Sequence, residues 1–232
     1  MSTPREALPE TVTSSFGVEA ASCEVSSLLL LPPAAKSILV LGHGAGAGMA
    51  HPFMNEMAVL LAMNNVATFR YQFPYMERGR KMPDRPPILL ATVRAAVDAA
   101  HDVGAGLPLF AGGKSMGGRI ASLAAADEGL PAARGLVFLG FPLHPRAKVS
   151  VDRAKHLAAV SAPMLFLQGT RDKLADLNLL TPICQRLGAT LHVISGADHS
   201  FCMLKRSGRS DRQVLAELAE VIARWTALRI SK

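Results

Sequence analysis

The chain is poor in aromatic residues, with one Trp and two Tyr among 232 residues. A core must therefore be assembled mainly from Leu, Val, Ile, Ala and Met, and no aromatic platform for stacking bases is evident. Cysteine is also scarce. Cys23, Cys184 and Cys202 are odd in number and far apart, without a Cys-x-x-Cys pair. That pattern suggests neither a disulfide framework nor a zinc site and fits a reducing compartment. Long hydrophobic runs are missing too. The longest, "LLLLPPAAKSILVL", is interrupted by two prolines and a lysine, so it does not read as a membrane span. The first ten residues, "MSTPREALPE", lack the apolar stretch of a secretory signal. The expectation is a soluble cytoplasmic protein without a membrane partner.

Half of the residues are hydrophobic and 19% are charged, a composition that supports a sizeable buried core. The net charge of +7 raises the question of an anionic partner. The basic residues form three groups: Arg78, Arg80, Lys81 and Arg85; Arg146, Lys148, Arg153 and Lys155; Lys205, Arg206, Arg209 and Arg212. No nucleic-acid-binding motif accompanies them, so they are read as solvated surface charge, with no nucleic-acid partner expected.

Strand-like and helix-like segments alternate. Strands are expected at Glu24–Leu31, "SILVLG", Val66–Phe73, Leu107–Gly112, "GLVFLGFP", "SAPMLFLQGT" and "TLHVIS"; helices at Pro52–Asn64, "PILLATVRAAVDAAHD", "GGRIASLAAAD" and "LNLLTPICQRLG". Several strand segments are continuously apolar, as strands buried on both faces are. The clearest helix is "SDRQVLAELAEVIARWTALR", with Ser210 and Gln213 spaced as a capping box. Its residues Val214, Leu215, Leu218, Val221, Ile222, Trp225 and Leu228 repeat at helical spacing toward a core. The alternation implies one α/β domain over residues 1–232 with a mostly parallel sheet and helices on both faces. Residues 1–31 are the least regular and are expected to hold an edge hairpin and a loose terminus. The stretch "MERGRKMPDRPP" reads as loop.

Two glycine-rich turns carry the functional question. "AGGKSMGG" (111–118) contains Gly-Lys-Ser, part of a phosphate-binding loop, but the position that must be glycine five residues before Gly113 is Pro108. Proline also removes a backbone donor from any phosphate cradle. "GHGAGAG" (42–48) invites a dinucleotide reading, but the third glycine is Ala47. Arg70 and Gln72 stand where a ribose-binding acid belongs.

The same 111–118 stretch fits Gly-x-Ser-x-Gly at Gly113–Gly117, between an apolar strand and a helix, the setting of a serine nucleophile on a sharp turn. A serine needs a base, and the base an orienting acid. Asp172 follows the strand "MLFLQG" and His199 follows "LHVIS", giving the chain order Ser, Asp, His. Ser115, Asp172 and His199 are the candidate catalytic residues. Asp176 is the reserve acid and Asp198 a poorer one. An oxyanion needs two backbone N–H groups, assigned to Met116, which follows the nucleophile, and to Ala45, with Gly44 as second choice. His43 is expected to hold its loop by hydrogen bonding. Lys114 and Gly44 are candidate substrate-binding residues. Lys114 is expected to favour an anionic substrate or to tune His199, with Arg78, Arg80 and Arg85 as possible companions.

The segments "GHGAGAGMAHPFM", "FRYQFPYMERGRKMPDRPP", "GGKSMGGR", "GFPLHP", "QGTRD" and "ADHSF" together resemble a small α/β-hydrolase-fold family related to dienelactone hydrolases. That family includes the testis-expressed and nonspecific-lethal-complex-subunit-like hydrolases, and the resemblance runs from about Ser37 to Trp225. It implies an α/β-hydrolase fold with a minimal cap or none, and places Ser115, Asp172 and His199 at the triad positions. Dienelactone hydrolases use a cysteine nucleophile where this chain has serine, so lactone chemistry is not carried over. The expected activity is cleavage of a small ester or thioester acyl substrate, with short acyl groups favoured and no cofactor or metal. The alternative is a non-catalytic interaction module on the same fold. Oligomeric state is not readable from the sequence.

Overall fold

The computed structural model describes residues 10–230. The expectations of a loose terminus and of a missing signal segment fall largely on residues 1–9, outside the described residues.

Eight strands form one sheet in the order β1-β2-β4-β3-β5-β6-β7-β8. The edge is an antiparallel hairpin of β1 (Val12–Val18) and β2 (Cys23–Leu30). It is regular throughout, rather than irregular as the sequence suggested. β2 adds antiparallel to β4 (Val66–Tyr71). From β4 onward every pairing is parallel: β3 (Ser37–Gly42), β5 (Leu109–Lys114), β6 (Ala133–Leu139), β7 (Met164–Gly169) and β8 (Thr190–Ile194). All residues of β3, β4 and β7 are buried. This explains their mostly apolar sequences, because helices cover both faces.

One face carries α1 (Pro52–Ala62) and α6 (Asp211–Ile230), packed on Leu39, Leu41, Phe110, Val137 and Leu165. The other carries α3 (Pro86–Val103), α4 (Met116–Asp127) and α5 (Leu177–Arg186), on a core containing Ile38, Phe69, Phe138 and Phe166. A four-residue helix, α2 (Pro74–Glu77), occupies the start of the stretch read as loop. Pro74 opens it, since a helix's first residue needs no N–H acceptor.

At the start of α6, Gln213 N donates to Ser210 Oγ at 3.2 Å and Ser210 N donates to Gln213 Oε1 at 2.8 Å, a reciprocal cap. Val214, Leu218, Ile222 and Trp225 enter the core, but Leu228 is 66% exposed. It lies near the end of the helix, beyond the edge of the sheet-covering stripe.

Because β3, β5, β7 and β8 are parallel, the turns after them gather at one end of the sheet. That end lies at the topological switch, where the chain passes from β3 to β4 on one side and to β5 on the other, the usual place for a ligand crevice in open α/β sheets. The connection from β6 to β7 contains only a short 3-10 segment, Asp152–Ala159, so no cap domain stands over the crevice.

Candidate active site

Ser115 sits between the last residue of β5 and the first of α4 with φ 51° and ψ −112°. A non-glycine residue adopts such a conformation only when its surroundings impose it. Here the surroundings are backbone. A methyl group on Gly117 would lie 2.3 Å from the Gly42 carbonyl oxygen, and one on Gly113 would meet the same oxygen at 2.3 Å. The two glycines let the turn press against the end of β3. Ser115 N donates to Leu139 O at 3.0 Å, fixing the turn to β6 as well.

The candidate base and acid reach this turn from two other strands. His199, in the loop after β8, has Nε2 2.9 Å from Ser115 Oγ. Its Nδ1 is 2.7 Å from Asp172 Oδ2, just beyond β7. Nδ1–H donation to the carboxylate leaves Nε2 free to accept the serine proton. The Asp172 side chain is 0% exposed and His199 keeps 21%. Burial of the carboxylate is offset by two further donors: Leu174 N at 2.7 Å from Oδ1, and the Gln168 amide on Oδ2. Gln168 escaped the sequence reading; its signal was a lone polar residue in the apolar strand "MLFLQG".

The neighbouring acids do other work. Asp176 accepts from Asn178 N at 2.8 Å and caps α5, so it is not a reserve acid. Asp198 accepts from Ser200 N and Cys202 N at 2.8 and 2.9 Å, shaping the turn that presents His199. A second Ser–His contact, Ser122 Oγ to His156 Nε2 at 2.8 Å, lies within α4 and the 3-10 segment. Ser122 is fully buried and also donates to Arg119 O, and no described carboxylate contacts His156. It lacks both the access and the acid of the Ser115 set.

The loop after β3 borders the same crevice. His43 is buried, and burial lowers its pKa to about 4. As a neutral ring it donates from Nδ1 to Gly44 O at 2.8 Å and accepts from Phe73 N at 3.2 Å on Nε2. It holds the loop, as expected of it. Arg70 and Gln72 are also committed: Arg70 donates to Met49 O at 3.2 Å and to Asn55, and Gln72 accepts from Met49 N at 2.9 Å. Neither is free to read a ribose. Gly44 and Ala45 face the cleft next to Ser115, and the Met116 side chain packs into the core while its N–H, at a helix start, has no intrahelical acceptor.

The cleft measures about 1080 Å³. Phe53, Met54, Leu174, Phe201 and Leu215 form its apolar wall, and His51, Glu56, Asp211 and Arg212 its polar rim. Of the three basic groups only Arg212 reaches it, and Arg212 is paired with Glu56 at 3.0 Å. Arg78 donates to Ala21 O and Arg80 pairs with Asp84 at 2.5 Å, and neither these nor Arg85 lines the cleft. The idea that they join Lys114 is thereby corrected: the proline-rich loop runs beside the hairpin edge. Lys114 does line the cleft, with its Nζ directed at His199 O. Among the described residues no group of three or more His, Cys, Asp or Glu is placed to hold a metal ion, and no helix is long and apolar enough to cross a membrane. The three cysteines are free thiols.

Solved structures share this architecture. A dienelactone hydrolase from Anabaena variabilis superimposes with a TM-score of 0.71 at 22% identity, covering 94% of this chain and 97% of that one. An α/β serine hydrolase without a lid from Xanthomonas campestris gives 0.69 at 18% identity, covering 93% and 95%. Est1E from Butyrivibrio proteoclasticus gives 0.68 at 16%, covering 95% and 99%. At these identities the likeness is one of fold. Residues 35–227 match the family described as alpha/beta hydrolase domain, a span that includes the Ser115 turn, Asp172, His199 and every parallel strand of the sheet, and the chain belongs to that family.

Proposed function

We propose that the protein is a serine hydrolase that cleaves an ester or thioester through an acyl-enzyme. The observation that carries this reading is the continuous Asp172–His199–Ser115 hydrogen-bond chain opening on an uncapped cleft. Ser115 Oγ attacks the carbonyl carbon while His199 Nε2 takes its proton and then delivers it to the leaving alcohol or thiol. Asp172 holds the imidazole in the tautomer that this requires. The Met116 and Ala45 N–H groups receive the oxyanion, aided by the positive end of the α4 dipole. Water, activated by the same histidine, then releases the acid.

The size of the cleft does not restrict the acyl group to a short one, since about 300–1000 Å³ accommodates a drug-sized ligand. The apolar wall of Phe53, Met54 and Phe201 favours a hydrophobic acyl or alcohol portion.

A fluorophosphonate probe tests the reading, because it reacts only with an activated serine. Wild-type protein is expected to become labelled, and Ser115→Ala to lose all labelling while keeping its melting temperature. Ester hydrolysis, once a substrate is found, should fall by about 10⁶-fold in that variant. A folded wild-type protein that takes no label would favour an interaction module instead.

A further inference from the structure

Lys114 occupies an unusual place. Among the described residues no ion pair involves it. Its Nζ donates to the backbone carbonyl of His199 at 2.6 Å. The ammonium also lies 5.7 Å from the Phe53 ring centroid and 5.6 Å from that of Phe201, two rings stacked 6.1 Å apart. Aromatic faces attract a cation, and a charged donor makes a shorter, stronger hydrogen bond to a carbonyl than a neutral one. Space for the ammonium comes from Gly140, where an added methyl group would sit 3.1 Å from Nζ.

The consequence is mechanical. Lys114 immediately precedes Ser115 at the end of β5, and its far end grips the residue whose ring takes the serine proton. The other hydrogen bond between this turn and His199 is the Oγ–Nε2 contact itself, which chemistry must break and remake. Resting on the serine-hydrolase reading, we propose that Lys114 is a positioning residue whose ammonium ties the His199 backbone to the nucleophile turn, keeping Nε2 on Ser115 Oγ while substrate and product exchange. The cation is thus engaged within the machinery instead of waiting for an anionic substrate.

The tie depends on charge. Burial lowers the Lys114 pKa to about 8, against the weaker pull of Asp172, Asp198 and Cys202, which face it from the β7 turn and the His199 loop. The remaining charged groups of the cleft are otherwise engaged: Glu56 on α1 with Arg212 on α6, and Asp211 with Met203 N at 2.7 Å. The ammonium is therefore charged at neutral pH and loses its charge as the pH rises through about 8.

The test is the second-order rate of fluorophosphonate labelling from pH 6 to 10 for wild type, Lys114→Met and Lys114→Arg, each checked for folding by its thermal melt. Wild type is expected to label well at pH 7 and to lose rate above pH 8. Lys114→Met should label roughly tenfold more slowly at pH 7, since a small misplacement of a catalytic group carries a penalty of that order or larger. Lys114→Arg should keep most of the rate and lose the decline near pH 8, because a guanidinium stays charged there. Should Lys114→Met not fold, the arginine variant alone decides. Labelling of Lys114→Met within about twofold of wild type across the range, or persistence of the decline in Lys114→Arg, overturns the tie and leaves the hydrolase reading standing. Absence of labelling in folded wild type overturns both.

Discussion

At the scale of single residues, the Ser115, His199 and Asp172 side chains form a chain in which each holds a specific partner. Asp172 is the sharpest case: a carboxylate with no exposed surface that receives hydrogen bonds from His199, Leu174 and Gln168. Its orientation is fixed by those donors, and its position by the strand that ends three residues earlier. Asp172→Asn preserves size and keeps a carbonyl oxygen for Leu174 N, whereas an NH2 in place of Oδ2 cannot accept from the imidazole N–H and has the partnerless Gln168 Oε1 as an acceptor if that amide rotates. The amide favours the wrong tautomer, so kcat should fall by about 10⁴-fold with little change in melting temperature. A matched loss of stability would instead mean that Asp172 is mainly structural. The convergence of Ser115, Asp172 and His199 was legible in the sequence because their order and their places after apolar strands are constrained by connectivity. Gln168, and the tie made by Lys114, were not. Their partners come from distant segments, and nothing in local pattern says which carbonyl a lysine will meet. Asp176, the reserve acid, proves to be a helix cap, and Asp198, already the poorer candidate, a turn brace: a carboxylate near a base in sequence readily takes either role.

At the scale of elements, alternating apolar runs and amphipathic helices carried most of the fold. The parallel strands, α1, α3, α4, α5 and α6 were all indicated, with ends shifted by a few residues. The hairpin looked irregular because its exposed first strand, "VTSSFGV", has only Val18 buried and therefore no apolar run. What periodicity does not report is close approach between elements, and here that is decisive. Gly117 lies where α4 starts against the end of β3, with no room for a methyl group next to the Gly42 carbonyl. Gly117→Ala must push backbone against backbone, and overpacking of this kind should cost at least about 2 kcal/mol, read by urea denaturation. Gly17→Ala, in β1 with nothing within 4 Å of the added carbon, is the control and should stay within about 0.5 kcal/mol of wild type. If the two variants were equally stable, the elbow would be far more pliable than its contacts indicate. Fluorophosphonate labelling should fall with Gly117→Ala even where it remains folded, because the strained serine conformation depends on the same contact.

At the scale of the whole molecule, the basic charge and two shielded histidines have separate consequences. The positive surface is partly neutralised by local pairs such as Arg80–Asp84, Lys155–Asp152 and Arg209–Glu217, contacts that contribute little individually when exposed. Titration of the interior matters more. His43, in the loop after β3, and His156, on the 3-10 segment against α4, both have pKa values lowered to about 4 from the ordinary 6.5, chiefly by burial, with Arg119 adding to the shift of His156. The sign follows from proton linkage: an unfolded chain takes up protons at these rings below pH 6.5, while the folded protein does not until about pH 4. Stability that is complete above pH 6.5 is therefore lost progressively down to pH 4, and the loss levels off below that. The unfolding free energy from urea titrations between pH 7 and 4 should fall with a slope that corresponds to about two protons per unfolding event. His43→Gln, whose amide can still donate to Gly44 O and accept from Phe73 N, should remove about one of those protons. An unchanged slope in that variant would show that His43 is protonated in the folded state across this range, and that the loop beside Ser115 tolerates a charge its burial argues against.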